Sequence, residues 1–131
     1  MAAKTPQWPE LHAYSRSIRL GTPAMVEELR NLLGAKMVAY LGGVRETRTV
    51  RQWAEGTRAV QDGADERRLR LAHQMAILIA ERDSPEVIQA WFQGLNPHLE
   101  DRLPVRLLCE GELDEVGPLV LAAARKLAAT G

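Results

Sequence analysis

The sequence predicts an all-α protein, and three observations lead to that fold class. Apolar residues recur at intervals of three and four positions, the helical period, as Val26, Leu29 and Leu33 do. Glycine, proline and capping residues divide the chain into segments of helical length. No segment keeps the alternation of apolar and polar residues that is typical of a half-buried strand. With 131 residues, 46% of them hydrophobic, the chain is expected to form one domain or two small subdomains that share a core.

Residues 1–22 are predicted to form an N-terminal arm, because proline and glycine interrupt this segment before a long periodic pattern develops. The arm has room for a short helix over residues 9–18. Its large apolar side chains are expected to dock on a neighbouring surface, since disordered tails seldom carry tryptophan. These side chains are Trp8, Leu11 and Ile18.

Residues 23–64 are predicted to form a helix-turn-helix-like region that binds DNA. Thr22 can cap its first helix, with Pro23 at the first helical position. A second short helix ends at two glycines, and a third covers residues 46–55 before Gly56. The second and third helices, with the turn between them, have the order found in the helix-turn-helix motif. In that motif the helix after the turn enters the major groove of DNA.

One face of that third helix carries residue types that suit DNA. Helical spacing turns Val50 and Trp53 inward, so that polar residues occupy the opposite face. Arginine reads guanine with two hydrogen bonds, glutamine reads adenine, and flanking arginines suit phosphates. The alternative is an ordinary solvated helix face without a ligand. The predicted DNA-binding residues are Arg45, Thr47, Arg48, Arg51, Gln52 and Arg58.

Residues 65–131 are predicted to form a second helical region. Asp65 is expected to cap a long helix over residues 66–82, and the broad apolar face of that helix predicts a central, largely buried position. Ser84 is expected to cap the next helix, which Gly94 is expected to end in a left-handed conformation. A short helix then begins at a proline and ends at a glycine, and a last, alanine-rich helix closes the region.

The segment that follows Trp91 has two interpretations. Asn96 precedes Pro97, which forces an extended or turn conformation, and two aromatic residues stand just before this turn. The segment is either an internal hydrophobic corner or a docking surface, because aromatic side chains often anchor interfaces. We expect Trp91 to lie mostly in the core, and the turn and the following helix to lie mostly on the surface.

The net charge of zero conceals an asymmetry. Residues 1–70 hold twelve basic and eight acidic residues, a net charge of +4. Residues 71–131 hold five basic and nine acidic residues, a net charge of −4. This division indicates two surfaces with different partners, unless the segregation is due to chance.

Catalysis, metal binding and cofactor binding have little support in the sequence. His12, His73 and His98 lack the spacing of metal ligands, and no glycine-rich phosphate loop occurs. Cys109 is the only cysteine, which fits a reducing cytoplasm. No secretory signal and no apolar run of membrane-spanning length is evident. We therefore expect a cytoplasmic protein with no catalytic residues, no metal, no cofactor and no membrane partner.

Several short motifs resemble those of a known family. Trp53-x-x-Gly56 is followed by a helix rich in arginine and leucine, and then by two longer motifs. Over residues 33–120 this order resembles the Xre-type antitoxins that partner RES-domain toxins. The two longer motifs are the most specific part of the resemblance, and they read Trp91-Phe92-x-x-x-Asn96-Pro97-x-Leu99 and Pro104-x-x-Leu107-Leu108-x-x-Gly111.

The resemblance implies a function for each half of the chain. The C-terminal half would be the toxin-binding domain that the MbcA, ParS and Xre antitoxins share, and it would cover the active-site entrance of a toxin that degrades NAD⁺. The N-terminal half would form a homodimer, bind operator DNA and repress its own operon. The rival interpretations are a stand-alone helix-turn-helix transcriptional regulator and a small helical enzyme. The implied toxin-binding residues are Trp91, Asn96, Pro97, Leu99, Pro104, Leu107, Leu108 and Gly111.

Overall fold

The computed structural model describes residues 8–130, with side chains from Glu10 onward. The all-α prediction is confirmed, since this part of the chain forms α-helices and one short 3-10 helix and contains no strand. In chain order, the elements are α1 (Trp8–Arg19), α2 (Thr22–Leu33), α3 (Ala35–Leu41), α4 (Thr47–Glu55), α5 (Gly63–Ala80), α6 (Pro85–Gln93), the 3-10 helix (Pro97–Leu99), α7 (Pro104–Glu110) and α8 (Leu113–Thr130).

Helix α5 lies at the centre of the fold, as its broad apolar face predicts. It contacts α1, α2, α3, α6 and α8. Leu69, Met75 and Ile79 of this helix are fully buried. One hydrophobic core extends from Ala13 to Ala124 and includes residues from both halves of the sequence. Between residues 8 and 130, no helix combines the length and the apolar character needed to cross a membrane.

Local capping chemistry explains where some helices end. The side chain of Ser84 accepts a hydrogen bond from a backbone N–H of α6, and α4 ends at Gly56, both as predicted; Gly56 lies in the left-handed region at φ 78°. The prediction for Gly94 is wrong, because its backbone is extended at φ −99°. The left-handed residues of this segment are Glu100 and Asp101, in the turn after the 3-10 helix.

Two predicted N-caps are also wrong. Asp62 caps α5 by accepting a hydrogen bond from the N–H of Ala64 at 2.8 Å, so Asp65 lies inside the helix. Gly21 stands at the N-cap of α2, and Thr22 is already helical. The hydroxyl of Thr22 donates instead to Glu66, which ties the start of α2 to α5.

The segment predicted to be an arm contains α1, which packs along α5 through Ala13 and Ser17. The Ser17 hydroxyl donates to the carbonyl oxygen of Arg70 at 3.0 Å. Leu11 and Ile18 are 43% and 57% exposed, so within the described residues they do not dock as predicted. The side chain of Trp8 lies outside the described residues.

Arginines of α5 satisfy the carbonyl ends of the surrounding helices. Arg70 donates to the carbonyl oxygens of Ser17 and Leu20 at the end of α1, at 2.7 and 2.9 Å. Arg68 donates to the ends of α3 and α7, and Arg82, just after α5, donates to the end of α8. The last carbonyls of a helix lack partners within the helix, and a cation beside them also complements the helix dipole.

A partly buried polar cluster joins α1, α2 and α5. His73 is fully buried, and its Nε2 lies 2.9 Å from a carboxylate oxygen of Glu28, which also accepts from Arg16. Burial lowers the pKa of His73, against the opposing effect of Glu28. Burial acts to raise the pKa of Glu28, but the hydrogen bonds and charges of Arg16 and His73 outweigh it and keep that pKa low. The folded protein therefore holds a neutral histidine beside a charged carboxylate.

This cluster predicts loss of stability in acid. Below the ordinary histidine pKa of 6.5, the unfolded chain takes up a proton at His73 that the folded chain does not bind. The free energy of unfolding should therefore fall as pH drops below 6.5, by at most about 1.4 kcal/mol per pH unit for one group. Urea titrations between pH 7.5 and pH 5 at intervals of about half a unit would measure this slope.

The control for this prediction is the exposed histidine His98. The His73→Gln variant should lose much of the slope just below pH 6.5, and the His98→Gln variant should keep it. Equal slopes in all three proteins would contradict the assignment of the acid sensitivity to His73.

Candidate DNA-binding face and partner surface

Helix α4 is anchored by the residues that its spacing predicts. Val50 is fully buried and Trp53 is 3% exposed, so both face the core formed with α2 and α3. Thr49 is also buried, which the sequence pattern did not predict. Since the inward face of α4 is fixed in this way, the opposite face is turned to solvent.

The turn between α3 and α4 is closely fitted to Trp53. A Cβ atom added at Gly42 would lie 2.6 Å from the Trp53 ring, so only glycine leaves room for the indole. Gly43 follows at φ 75°, where glycine is favoured. The N–H of Val44 then returns to the carbonyl oxygen of Ala39 at 2.9 Å. The geometry of this turn therefore sets the position of α4 against α3.

We call the residues predicted to bind DNA the basic face. Of these, Thr47, Arg48 and Arg51 are exposed on α4, and Gln52 is partly buried at its edge. The amide oxygen of Gln52 accepts a hydrogen bond from Arg58 at 3.4 Å, which brings the segment after α4 to the same side. The structure thus brings four of the six residues together on α4, with Arg45 and Arg58 exposed on either side of it.

The arginines of the basic face differ from most others in the described chain. Eight arginines each lie within 4 Å of a carboxylate. Within residues 8–130, none of the four arginines of the basic face forms such an ion pair. Lys36 of α3 lines a groove of about 650 Å³ with Arg45 and Arg48, and Glu46 lies at the edge of the same groove. The sequence pattern gave no sign of Lys36, because its nearness to α4 depends on the fold of the turn.

The C-terminal motif residues mostly have internal positions. Trp91 is partly buried and meets the fully buried Phe92 edge to face, with ring centroids 5.0 Å apart. Leu99, Leu107 and Leu108 belong to the hydrophobic core, and Pro104 is buried as well. The expectation that the helix after the turn lies mostly on the surface is therefore wrong, whereas most residues of the turn itself are exposed, as expected. The apolar side chains of this helix instead pack α7 against α6 and α8.

Asn96 organises the turn itself. Its side-chain oxygen accepts a hydrogen bond from the N–H of His98 at 2.9 Å. Its backbone N–H donates to Arg102, and its carbonyl oxygen accepts from Leu99 and Asp101. Asn96 is buried, so the structure favours the internal corner over direct contact for this residue. Among the implied toxin-binding residues, Pro97 is exposed, and Trp91 and Gly111 are partly buried.

A groove beside this corner is accessible instead. We call it the corner groove; its volume is about 520 Å³, and Leu95 on its wall is 70% exposed. Arginines, carboxylates, two further leucines and a glycine form its other walls. The sequence pattern did not single out Leu95. The lining residues are Leu95, Asp101, Arg102, Leu103, Arg106, Leu107, Glu110 and Gly111.

Among residues 8–130, the remaining titratable groups do not form a further site. Burial raises the pKa of Cys109 to about 11, and its Sγ lies 3.6 Å from the carbonyl oxygen of Tyr40. A thiol with so high a pKa is a weak nucleophile near neutral pH. In the part of the chain that the structure describes, no group of three or more His, Cys, Asp or Glu residues is placed to hold a metal ion.

Comparisons of the chain with family models, with curated proteins and with solved structures found no match. The fold and the sites therefore define a class only in general terms, as an all-helical protein with a basic face and a separate, partly apolar groove.

The fit between Gly42 and Trp53 predicts a clear difference between two glycine variants. Gly42→Ala should reduce the free energy of unfolding by about 1–3 kcal/mol, because the new methyl group overlaps the indole ring. Gly63→Ala is the matched control, since nothing lies within 4 Å of an added Cβ there. The control should be neutral or stabilised by up to about 1 kcal/mol. Equal unfolding midpoints in urea for the two variants would mean that the turn is looser than described.

Proposed function

We propose that the protein is an antitoxin of the Xre type, which binds DNA through the basic face and neutralises a RES-domain toxin through its C-terminal half. The observation that carries the proposal is the set of arginines that have no carboxylate partner among residues 8–130, gathered around one helix whose opposite side is buried. The antitoxin part of the proposal also depends on the motif resemblance described above.

The basic face has the chemistry that DNA recognition requires. A helix held by Val50 and Trp53 presents Arg48 and Arg51 outward on a rigid support. Arginines without ion pairs have donors available for guanine edges and phosphate oxygens, and phosphate contacts release counterions from DNA. Arg45 and Arg58 flank the helix where phosphates would lie. This arrangement favours major-groove binding by α4.

The C-terminal half offers a surface for a protein partner. The internal motif residues hold the corner, and the corner groove presents Leu95 beside Arg102 and Arg106. An exposed apolar side chain surrounded by polar groups is typical of an interface anchor. The toxin would bind to this surface. The antitoxin would then occlude the toxin's active-site entrance by stoichiometric binding, with no chemistry of its own.

The C-terminal half also carries exposed acidic residues, of which Asp101 lines the corner groove. Asp101, Glu112 and Glu115 are exposed, and none of the three lies within 4 Å of a basic group among residues 8–130. A toxin that degrades NAD⁺ must attract an anionic dinucleotide, so its entrance should be positively charged. Acidic groups on the antitoxin would complement that entrance and speed association.

A homodimer fits both activities. Leu11, Tyr14 and Ile18 are exposed along one side of α1 at spacings of three and four residues. A second copy of the same stripe would cover them, and a twofold dimer would present two α4 helices to the two half-sites of an operator. Repression of its own operon and inhibition of a toxin would both take place in the cytoplasm.

The DNA part of the proposal predicts a specific loss. Arg48→Ala together with Arg51→Ala should weaken binding to a duplex taken from immediately upstream of the gene by at least about tenfold. The slope of the logarithm of the binding constant against the logarithm of the salt concentration should also become shallower, by about one for each phosphate that the variant no longer neutralises. Fluorescence anisotropy at several salt concentrations would measure both quantities.

The charge-matched control is Arg67→Ala with Arg125→Ala, which removes two exposed arginines that form ion pairs elsewhere on the surface. This control should bind nearly as the parent protein does. Equal losses in the two double variants would show that net charge, and not the basic face, determines the affinity.

The partner part of the proposal predicts that Leu95→Asp abolishes neutralisation of the RES-domain protein encoded beside the gene. A charge at the centre of an apolar contact is costly to desolvate. Growth rescue and co-purification would measure the effect. The control is Leu119→Asp, because Leu119 is also an exposed leucine but lies on α8. This variant should rescue growth as the parent does.

Rescue by the Leu95→Asp variant would exclude the corner groove as the contact. If no adjacent frame encodes such a toxin while the DNA binding persists, the result would instead favour a stand-alone transcriptional regulator.

A further inference from the structure

We propose that Arg68 is a positioning residue that couples the turn before α4 to the end of α7, so that the basic face and the corner groove respond to each other. The functional meaning of this coupling rests on the function proposed above. The physical coupling itself can be tested on the chain alone.

The guanidinium of Arg68 contacts the ends of two helices. Its Nη1 donates to the carbonyl oxygen of Leu41 at 2.9 Å, and its Nε donates to the carbonyl oxygen of Leu108 at 3.2 Å. Leu41 is the last residue of α3, and Leu108 lies in the last turn of α7. Asp65 holds the same guanidinium at 2.7 Å, and the side chain of Arg68 is only 17% exposed. One cation thus bridges the carbonyl ends of two helices that are distant in sequence.

Leu41 is connected to the basic face through the turn that follows it. Gly42 follows directly and packs against the Trp53 ring so closely that no Cβ would fit. Gly43 lies beside Asp65, with an added Cβ only 3.1 Å from its carboxylate oxygen. A shift of the end of α3 would therefore move the turn and, through Trp53, the whole of α4.

Leu108 is connected to the corner groove through its neighbours in sequence. Leu107 and Gly111, on either side of this carbonyl in sequence, line the groove. A second contact between the same helix ends reinforces the link, since the Cys109 thiol lies 3.6 Å from the carbonyl oxygen of Tyr40. A partner that presses on α7 would therefore act on the carbonyl that Arg68 holds.

Arginine is suited to this position because its donors form a planar fork that reaches several acceptors at once. An apolar replacement would leave two helix-end carbonyls without their partner. The adjacent Arg67 provides the matched comparison. Its side chain is 61% exposed and pairs with Asp114 of α8, so it bridges no helix ends.

A double-variant experiment with native-state hydrogen exchange tests the coupling. Gly111→Ala perturbs α7 locally, because the added Cβ would lie 2.5 Å from a methyl carbon of Val116. In the parent background, it should reduce protection of the α7 amides and of the Gly42 and Val44 amides by a similar factor, on the order of tenfold. In the Arg68→Met background, the reduced protection should remain in α7 and no longer reach Gly42 and Val44.

The Arg67→Met background is the control, and there the reduced protection should still reach Gly42 and Val44. The Arg68→Lys background should transmit part of the effect, since one ammonium keeps a charge but not the fork. All proteins would be measured in sucrose, which favours the folded state. If Arg68→Met does not fold even then, Arg68→Lys decides the outcome. Undiminished transmission in the Arg68 variants, or no transmission in the parent, would overturn the proposal.

The same variants give a functional readout that a purely structural role would not produce. If the upstream duplex binds, Gly111→Ala should change its affinity in the parent and Arg67→Met backgrounds, but much less in the Arg68→Met background. Absence of DNA binding would count against the proposed function and leave the hydrogen-exchange result as the test of Arg68. An equal change of affinity in all backgrounds would overturn the coupling.

Discussion

The fold depends on the way in which α5 satisfies the carbonyl ends of the helices around it. A helix leaves its last carbonyl groups without internal partners, and burying such groups unpaired is costly. Arg68 and Arg70 of α5 and Arg82 just beyond it meet the ends of α1, α3, α7 and α8. Since these helices include parts of both halves of the sequence, the arginines join the basic face and the corner groove to one core.

This use of arginine separates two groups of arginine residues. One group is engaged with helix ends and carboxylates, where it stabilises the packing. A second group, Arg45, Arg48, Arg51 and Arg58, has no carboxylate within 4 Å among residues 8–130 and lies on and beside α4. The division gives the charge asymmetry of the sequence a physical meaning, because the excess positive charge of the first half is concentrated where a polyanion would gain most from it.

Much of the fold could be predicted from the sequence, because its signals are local. Helical spacing placed Val50 and Trp53 inside, and capping chemistry placed the start of α6 at Ser84. Other features depend on contacts between distant segments. The choice of Asp62 over Asp65 as a cap, and the burial of Leu99, Leu107 and Leu108, depend on how α5, α6, α7 and α8 meet. The exposure of Leu95 beside the groove likewise has no local signal in the sequence.

The most direct test of this account is the response of individual arginine side chains to DNA. Nuclear magnetic resonance of the arginine Nε–H groups, with the upstream duplex added in steps, would follow both groups of arginines in a single experiment. The account predicts the largest shifts at Arg45, Arg48, Arg51 and Arg58, and little change at ion-paired arginines such as Arg30 and Arg125. Large shifts confined to the ion-paired arginines, or no shift at the basic face at saturating DNA, would contradict it.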